Sequence, residues 1–265
     1  MTYCVGMKLD KGLVLMSDTR TNSGVDNISV FRKMFTWQVP GDRIITLMTA
    51  GNLATTQAVI SQLEERTKEP DERDNILLKS PTMFQVATEI GNLMRDIIGQ
   101  RQEANGSRGR GRFTSSIIVA GQIKGRGRFT ASIIVGGQIA GMEPRLFMIY
   151  PEGNFIEASL DTPFFQIGET KYGRPIIIRG YDRKMSLEDG VKLLMVSFDS
   201  TLKANLSVGL PLDLQVITRD SYEAIHEHRI SQDDSYFQVI SAGWGDALKN
   251  AFHSLPDYTF YRGDD

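Results

Sequence analysis

Apolar and polar residues alternate along the first 50 positions with the two-residue period of β-strands. Residues 3–9 alternate, Asp10-Lys11-Gly12 marks a turn, and "LVLMSDT" predicts a return strand buried on both faces. A second pair of strands is predicted for "MFTWQV" and "RIITLMTA", which flank a turn at Pro40-Gly41-Asp42. The chain is therefore expected to begin with two antiparallel hairpins.

The period changes to that of helices after residue 52. Apolar residues recur at helical spacing from Leu53 to Leu63, and Asn52 is placed to cap that helix. A second apolar stripe, from Met83 to Ile97, follows Ser80-Pro81, which we interpret as a helix cap and a first-turn proline. Two helices are thus expected to follow the hairpins.

Strands return in the second half of the chain, and a helix, a hairpin and a last helix come after them. Strands are predicted for "RFTASIIVGGQI", "RLFMIY" and "FIEASL", and Ser186 with Asp189 has the spacing of a capping box. "LPLDLQVITRD" and "YEAIHEHRI" predict a hairpin, and "YFQVISAGWGDALKNAF" predicts a helix that Gly243 and Gly245 weaken. Segregated runs of strands and helices predict an α+β fold, with two packed sheets and helices outside, in a single domain spanning 1–265.

One segment is duplicated in tandem. "GRGRFTSSIIVAGQIK" at 109–124 precedes "GRGRFTASIIVGGQIA" at 125–140, with 13 of 16 positions identical. A basic Arg-Gly loop for nucleic acid is one interpretation, and a local duplication whose copies compete for one strand position is the preferred one. We expect the second copy to occupy the sheet, because it leads directly into the next strand.

Composition narrows the function classes. The 265 residues carry a net charge of −2, so bulk charge favours neither nucleic acid nor a membrane as partner. The start lacks the pattern of a signal peptide, and one cysteine, Cys4, permits neither an internal disulfide nor a cysteine zinc site. A cytoplasmic location is expected. His226 and His228 share a strand face that a metal could use, but a solvated face is the preferred interpretation, and neither a metal nor a cofactor is predicted.

The amino terminus is the strongest candidate for chemistry. Removal of Met1 leaves Thr2 with a free α-amine beside its own hydroxyl, so that nucleophile and base lie in one residue. The pKa of an α-amine is about 7.7–8.0. A useful fraction of the amine is therefore unprotonated at neutral pH and can act as a base. Lys33 in "VFRKMF" would lower the pKa of that amine, and Asp18 would pair with Lys33. Gly51 in "TAGN" lies where a strand ends and a helix begins, which suits an oxyanion.

The motifs "SDTR", "FRKMF" and "TAGNLATTQ" resemble the signature of proteasome β-subunits, which are N-terminal-nucleophile hydrolases. "DTRTNSGVDNIS", "YPEGNFIEA", "DTPFFQIGETKYGRP" and "NLSVGLPLDL" are similar to the bacterial Anbu branch of that family. The resemblance implies a four-layer αββα sandwich, self-assembly into rings or open helical rings, and hydrolysis of a peptide or protein substrate. An unfolding ATPase is a further partner that the sequence does not identify.

The resemblance also assigns roles to residues. It implies Thr2 as nucleophile, Lys33 and Asp18 as the pair that tunes it, and the Gly51 amide as oxyanion donor. It further implies a specificity pocket formed by Phe35, Thr49 and Leu53. The chain departs from active subunits at "GET", where Glu169 replaces a serine, and at Asn205 and Val208, where Ser207 could substitute for the missing serine if the register slips.

Three functions follow from these residues. The first is a threonine peptidase within a homo-oligomer. The second is a catalytically silent assembly of the same fold, which Glu169 and Val208 favour. The third is an amidohydrolase that acts on a small non-peptide amide, because this fold class hosts such chemistry.

Overall fold

The computed structural model describes residues 2–22, 28–68, 75–106 and 131–260. Its strands, in chain order from β1 to β12, are Tyr3–Leu9, Gly12–Asp18, Arg20–Asn22, Ile28–Val30, Met34–Val39, Arg43–Gly51, Ala131–Ile139, Arg145–Ile149, Phe155–Glu157, Phe164–Gly168, Leu212–Thr218 and His226–Ile230. Its helices, from α1 to α6, are Leu53–Lys68, Ile76–Lys79, Met83–Gly106, Arg174–Gly180, Leu187–Ala204 and Ser235–His253. Within these ranges no helix combines the length and apolarity needed to cross a bilayer.

Two five-stranded antiparallel sheets form the centre of the molecule. The first has the order β10-β1-β2-β11-β12 and the second β5-β6-β7-β8-β9, while β3 and β4 form a separate two-stranded ribbon. Both predicted amino-terminal hairpins are present, one in each large sheet. Asp18, the last residue of β2, therefore belongs to one sheet, and Lys33, which directly precedes β5, leads into the other.

Three apolar clusters separate four layers. Leu13 and Leu15 of β2 face the other sheet, while Val14 and Met16 face the helices, so the strand is buried on both sides as its composition predicted. Helices α1 to α3 cover the second sheet, and α4 to α6 cover the first. The predicted αββα sandwich is confirmed.

Two of the three predicted helix caps are confirmed. Asn52 accepts a hydrogen bond from the Thr55 nitrogen at 3.0 Å, and Ser186 accepts one from the Asp189 nitrogen at 3.0 Å. The interpretation of Ser80-Pro81 was wrong, because α3 begins at Met83 and the Thr82 hydroxyl accepts from the Gln85 nitrogen. The hydroxyl of Thr82, not that of Ser80, therefore satisfies a free nitrogen of the first turn, and the helix starts two residues later than predicted.

The remaining predictions differ from the structure mainly in length. The last helix runs unbroken through Gly243 and Gly245, so two glycines, each costing roughly 1 kcal/mol relative to alanine, do not end it. Strand β9 covers only Phe155–Glu157 of the predicted "FIEASL". Strand β7 consists of second-copy residues, whereas 109–124 lies outside the residues that the structure describes.

Candidate functional site

A buried ion pair joins the two sheets beside the amino terminus. Asp18, the last residue of β2, is fully buried, and Lys33, which precedes β5, is 5% exposed. The Lys33 Nζ donates to Asp18 Oδ1 at 2.7 Å and to the Arg20 carbonyl oxygen at 2.6 Å. The sequence prediction that these two residues would pair is thus met by the geometry.

Two hydrogen bonds to the peptide group between Thr2 and Tyr3 fix the position of Thr2. The nitrogen of the next residue, Tyr3, donates to Asp18 Oδ1 at 2.9 Å, and the Thr2 carbonyl accepts from the Glu169 nitrogen at 2.6 Å. Gly168 approaches so closely that a Cβ there would lie 2.0 Å from the Thr2 oxygen, and its φ is +83°. Only glycine fits at that position. The glycine at the end of β10 therefore permits the close approach of β10 to Thr2.

Thr2 opens into a cavity of about 690 Å³ between β5, β6 and α1. The cavity lining includes every residue proposed for catalysis or substrate binding except Asp18, namely Thr2, Lys33, Phe35, Thr49, Gly51 and Leu53. Asp18 lies behind Lys33 and is not part of the lining. The structure therefore brings together residues that are separated by up to 51 positions along the chain.

Gly51 lies at the rim, at the end of β6 and two residues before α1 begins. Its φ of +113° belongs to a backbone region that side chains rarely adopt. The Asn52 side chain caps the following helix, so Gly51 lies next to the positive end of the α1 dipole. This position suits a group that stabilises negative charge in the cavity.

Glu169, Asn205 and Ser207 lie outside the cavity lining, and Glu169 contacts Thr2 through its main-chain nitrogen. The Glu169 carboxylate is 6% exposed and accepts from Asn205 Nδ2 at 2.9 Å and from the Lys171 nitrogen at 2.8 Å. Asn205 caps the end of α5 and accepts from the Ser207 nitrogen at 3.0 Å. Glu169 therefore uses its side chain in this polar cluster and its main-chain nitrogen on Thr2.

Burial sets the ionisation of the groups around Thr2. It raises the pKa of the Asp18 carboxyl, although the Lys33 ammonium and the Tyr3 and Gly209 nitrogens oppose that shift. Burial also raises the pKa of the Tyr3 phenol to about 12 and that of the Cys4 thiol above its usual range. The ionised carboxylate of Asp18 consequently depends on Lys33, while Cys4 is a buried, protonated residue.

Sequence reasoning missed one wall of the cavity. The residues of α1 on this wall, beyond those already named, are Thr56, Gln57, Ile60, Ser61 and Glu64, and the opposite side adds Thr21, Phe31 and Arg32. Leu53, Gln57, Ser61 and Glu64 are three or four residues apart and so share a helix face. That spacing was readable from the sequence once α1 was placed beside Gly51.

The two histidines of β12 take part in surface contacts. His228 Nε2 lies 2.6 Å from Asp234 Oδ2, and Asp234 in turn caps α6 through the Phe237 nitrogen. Among the residues that the structure describes, no three His, Cys, Asp or Glu side chains are arranged to hold a metal ion.

Known proteins of one family match this chain. The family model for proteasome subunits matches residues 86–217. The proteasome subunit beta of Methanocaldococcus jannaschii is 30% identical over 88 residues, which are 33% of this chain and only 38% of that protein's length.

Solved structures match over nearly the whole chain. Anbu (ancestral beta-subunit) from Yersinia bercovieri is 41% identical, with a TM-score of 0.85, and covers 97% of this chain and 100% of that one. An Anbu (Gly-1) mutant from Hyphomicrobium sp. strain MC1 is 43% identical, with a TM-score of 0.84 and coverage of 98% and 100%. A helical assembly of the Anbu complex from Pseudomonas aeruginosa is 40% identical, with a TM-score of 0.83 and coverage of 97% and 98%.

Proposed function

This chain belongs to the Anbu family of proteasome-type β-subunits, and we propose that it is a threonine peptidase whose nucleophile is Thr2. The observation that carries the proposal is the shared carboxylate oxygen of Asp18. That oxygen holds both the Tyr3 nitrogen, at 2.9 Å, and the Lys33 ammonium, at 2.7 Å. The residue that would carry the nucleophile is thereby tied to the cation that would activate it.

The reaction that we propose needs no other side chain as base. After removal of Met1, the Thr2 α-amine accepts the proton of the Thr2 hydroxyl, and Oγ bonds to the substrate carbonyl carbon. In this proposal the Gly51 nitrogen donates to the oxyanion, the C–N bond breaks, and the proton passes to the leaving amine. Water then cleaves the ester and restores the hydroxyl. Lys33 lines the same cavity as Thr2 and supplies positive charge to it, and Asp18 holds Lys33 in place.

A homo-oligomer is part of the proposal. The P. aeruginosa relative is described as a helical assembly. In this chain, α6 and the residues after it expose large apolar side chains, among them Val239, Leu248, Phe252, Tyr258 and Phe260. Exposed apolar surface of this kind marks interaction sites in soluble proteins. Sedimentation at micromolar concentration should therefore detect a species larger than a monomer, and a monomer would contradict this part of the proposal.

A peptide epoxyketone tests the catalytic role of Thr2, because its cyclic adduct uses both the hydroxyl and the α-amine of one residue. Intact mass first establishes whether Met1 is absent. We then expect one adduct per chain in the wild type and in Thr2→Ser, which keeps both groups, and none in Thr2→Ala. Labelling of Thr2→Ala, or a wild type that lacks Met1 and yet remains unlabelled, would overturn the assignment.

The silent assembly remains a second candidate because of Glu169. Glu169 contacts Thr2 through its main-chain nitrogen and stands in the sequence where the family resemblance implies a serine, while Asn205 holds its buried carboxylate. An assembled protein that lacks Met1 but neither forms the adduct nor cleaves any member of a peptide library would favour this function. Cleavage of small amides without cleavage of peptides would instead indicate the amidohydrolase.

A further inference from the structure

The cavity at Thr2 continues far beyond the nucleophile. One wall is the face of α1 that runs from Leu53 to Glu64, and all three turns of that face line the same cavity. The eleven helical steps from the first to the last of these residues, at about 1.5 Å each, span about 16 Å. An extended peptide covers that distance with about five residues, at roughly 3.3 Å each. A small amide would fill only the end of the cavity next to Thr2.

Two exposed charged residues line the cavity from different walls. Arg32, which precedes Lys33 in the chain, lies on the wall opposite α1, whereas Glu64 lies on the last turn of α1 that lines the cavity. Both side chains are exposed, and neither has an ion-pair partner in the part of the chain that the structure describes. The Lys33 charge is already matched by Asp18. Arg32 and Glu64 are therefore the charges that a bound ligand would meet.

We propose that the cavity binds an extended polypeptide segment and that Glu64 selects a basic side chain three to six residues from the bond that is cleaved. Which end carries out the chemistry rests on the proposed function of Thr2, but the charge preference itself does not. Glu64 is eleven positions along α1 from Leu53, so the preference is expected for distant positions and not for the residue next to the cleaved bond.

Binding to the inactive full-length Thr2→Ala protein tests this directly. Fluorescent ten-residue peptides of one neutral sequence carry Lys, Gln or Glu at a single position, and anisotropy measures the dissociation constants. An exposed ion pair is worth about 0.2–1 kcal/mol, so we expect Lys peptides to bind about 1.4- to fivefold more tightly than Gln peptides at distant positions. Adding Glu64→Gln should abolish this ratio and Glu64→Lys should invert it.

Glu65→Gln is the matched control. Glu65 is the neighbouring residue on the same helix and is exposed, but it does not line the cavity, so its loss should leave the Lys-to-Gln ratio unchanged. The ratio should also fall as salt rises from 0.05 to 0.5 M, values chosen to shorten the screening length several-fold. A ratio near one for every position, or an equal response to Glu65→Gln, would overturn the assignment of Glu64.

The two proposals fail in different ways. Peptides that show the charge preference with Thr2→Ala, while the wild type cleaves none of them, would support the role of Glu64 and contradict the peptidase. Peptides that are cleaved without any dependence on Glu64 would support the peptidase and contradict the role of Glu64. Weak binding of all peptides at millimolar concentration counts against the extended site, whatever the wild type does to small amides.

Discussion

The main-chain nitrogen of Tyr3 lies 2.9 Å from the carboxylate of Asp18. This contact fixes the backbone one residue after Thr2, and the same oxygen holds Lys33 at 2.7 Å. A single buried carboxylate thus positions both groups of the proposed mechanism. Changes at this carboxylate should therefore alter stability and reactivity together.

The Asp18–Lys33 pair gives the first prediction. Asp18→Asn leaves the Lys33 ammonium buried without a counter-charge, and breaking a buried pair in this way costs about 3–5 kcal/mol. We expect urea unfolding to show that loss, and the epoxyketone adduct to disappear. Adding Lys33→Met removes the unpaired charge, so the double variant should recover at least half of the lost free energy of unfolding without recovering the adduct.

Asp246→Asn is the control for these two variants. Asp246 pairs with Lys249 on the surface, where both side chains are 75% exposed, so its loss should leave the urea midpoint and the labelling unchanged. Equal effects of Asp18→Asn and Asp246→Asn, or a double variant no more stable than Asp18→Asn, would contradict the idea that burial of the pair determines its importance.

Gly168 gives the second prediction. Gly168→Ala places a Cβ 2.0 Å from the Thr2 oxygen, whereas Gly141→Ala meets no atom within 4 Å. The two glycines have similar φ angles, +83° and +76°, so each alanine carries a backbone cost of roughly 1–2 kcal/mol. Only Gly168→Ala should also displace Thr2 and slow epoxyketone labelling, by more than about tenfold. Equal labelling rates in the two variants would contradict the positioning role of Gly168.

The sequence predicts where the candidate residues lie in the fold when the signal is local. Thr2, Asp18, Lys33 and Gly51 each lie at the end of a strand or hairpin, and strand ends are visible as changes in the apolar pattern. Glu64 could not be assigned in this way. Its role depends on the direction of α1 relative to Thr2, which is a property of how the layers pack rather than of any short motif.

Competing local signals explain the other differences. Ser80 and Thr82 both offer a capping hydroxyl, and Pro81, which suits the first helical position, favours Ser80 although Thr82 is the cap. The tandem copies are harder to separate. Ala120 of the first copy corresponds to Gly136 in β7, where a Cβ would lie 3.2 Å from a flexible leucine side chain. Local packing thus discriminates only weakly between the copies.

The third prediction concerns stability at alkaline pH. Burial raises the pKa of the Tyr3 phenol from 10 to about 12, so between those values the unfolded chain has released a proton that the folded chain keeps. The stability contributed by Tyr3 is complete below pH 10 and is lost as pH rises through about 12, by an amount on the order of 3 kcal/mol. The urea midpoint of Tyr3→Phe should therefore fall less steeply than that of the wild type across this range.

Tyr3→Phe should be less stable than the wild type at pH 8, because Ser197 Oγ and Gln166 Nε2 each lose a buried partner. That loss is expected to be about 1–3 kcal/mol. Tyr181→Phe provides the comparison, since the pKa of Tyr181 is also raised to about 12 but its ring is less buried. If the three proteins follow parallel curves between pH 10 and 12, Tyr3 does not titrate differently in the folded and unfolded chains.

The last prediction is that residues 109–124 can be deleted without loss of the fold. Strand β7 is built from second-copy residues and pairs with β6 and β8 along its length. The deletion shortens the connection between α3 and β7 from 24 to 8 residues, and a threefold change in length alters closure entropy by only about 1 kcal/mol. We expect the urea midpoint, the sedimentation profile and the epoxyketone labelling to match the wild type.

Deleting 125–140 instead forces the first copy into β7 and puts Ala120 in place of Gly136. That variant should be the less stable of the two, and the opposite order would show that the first copy is the better strand.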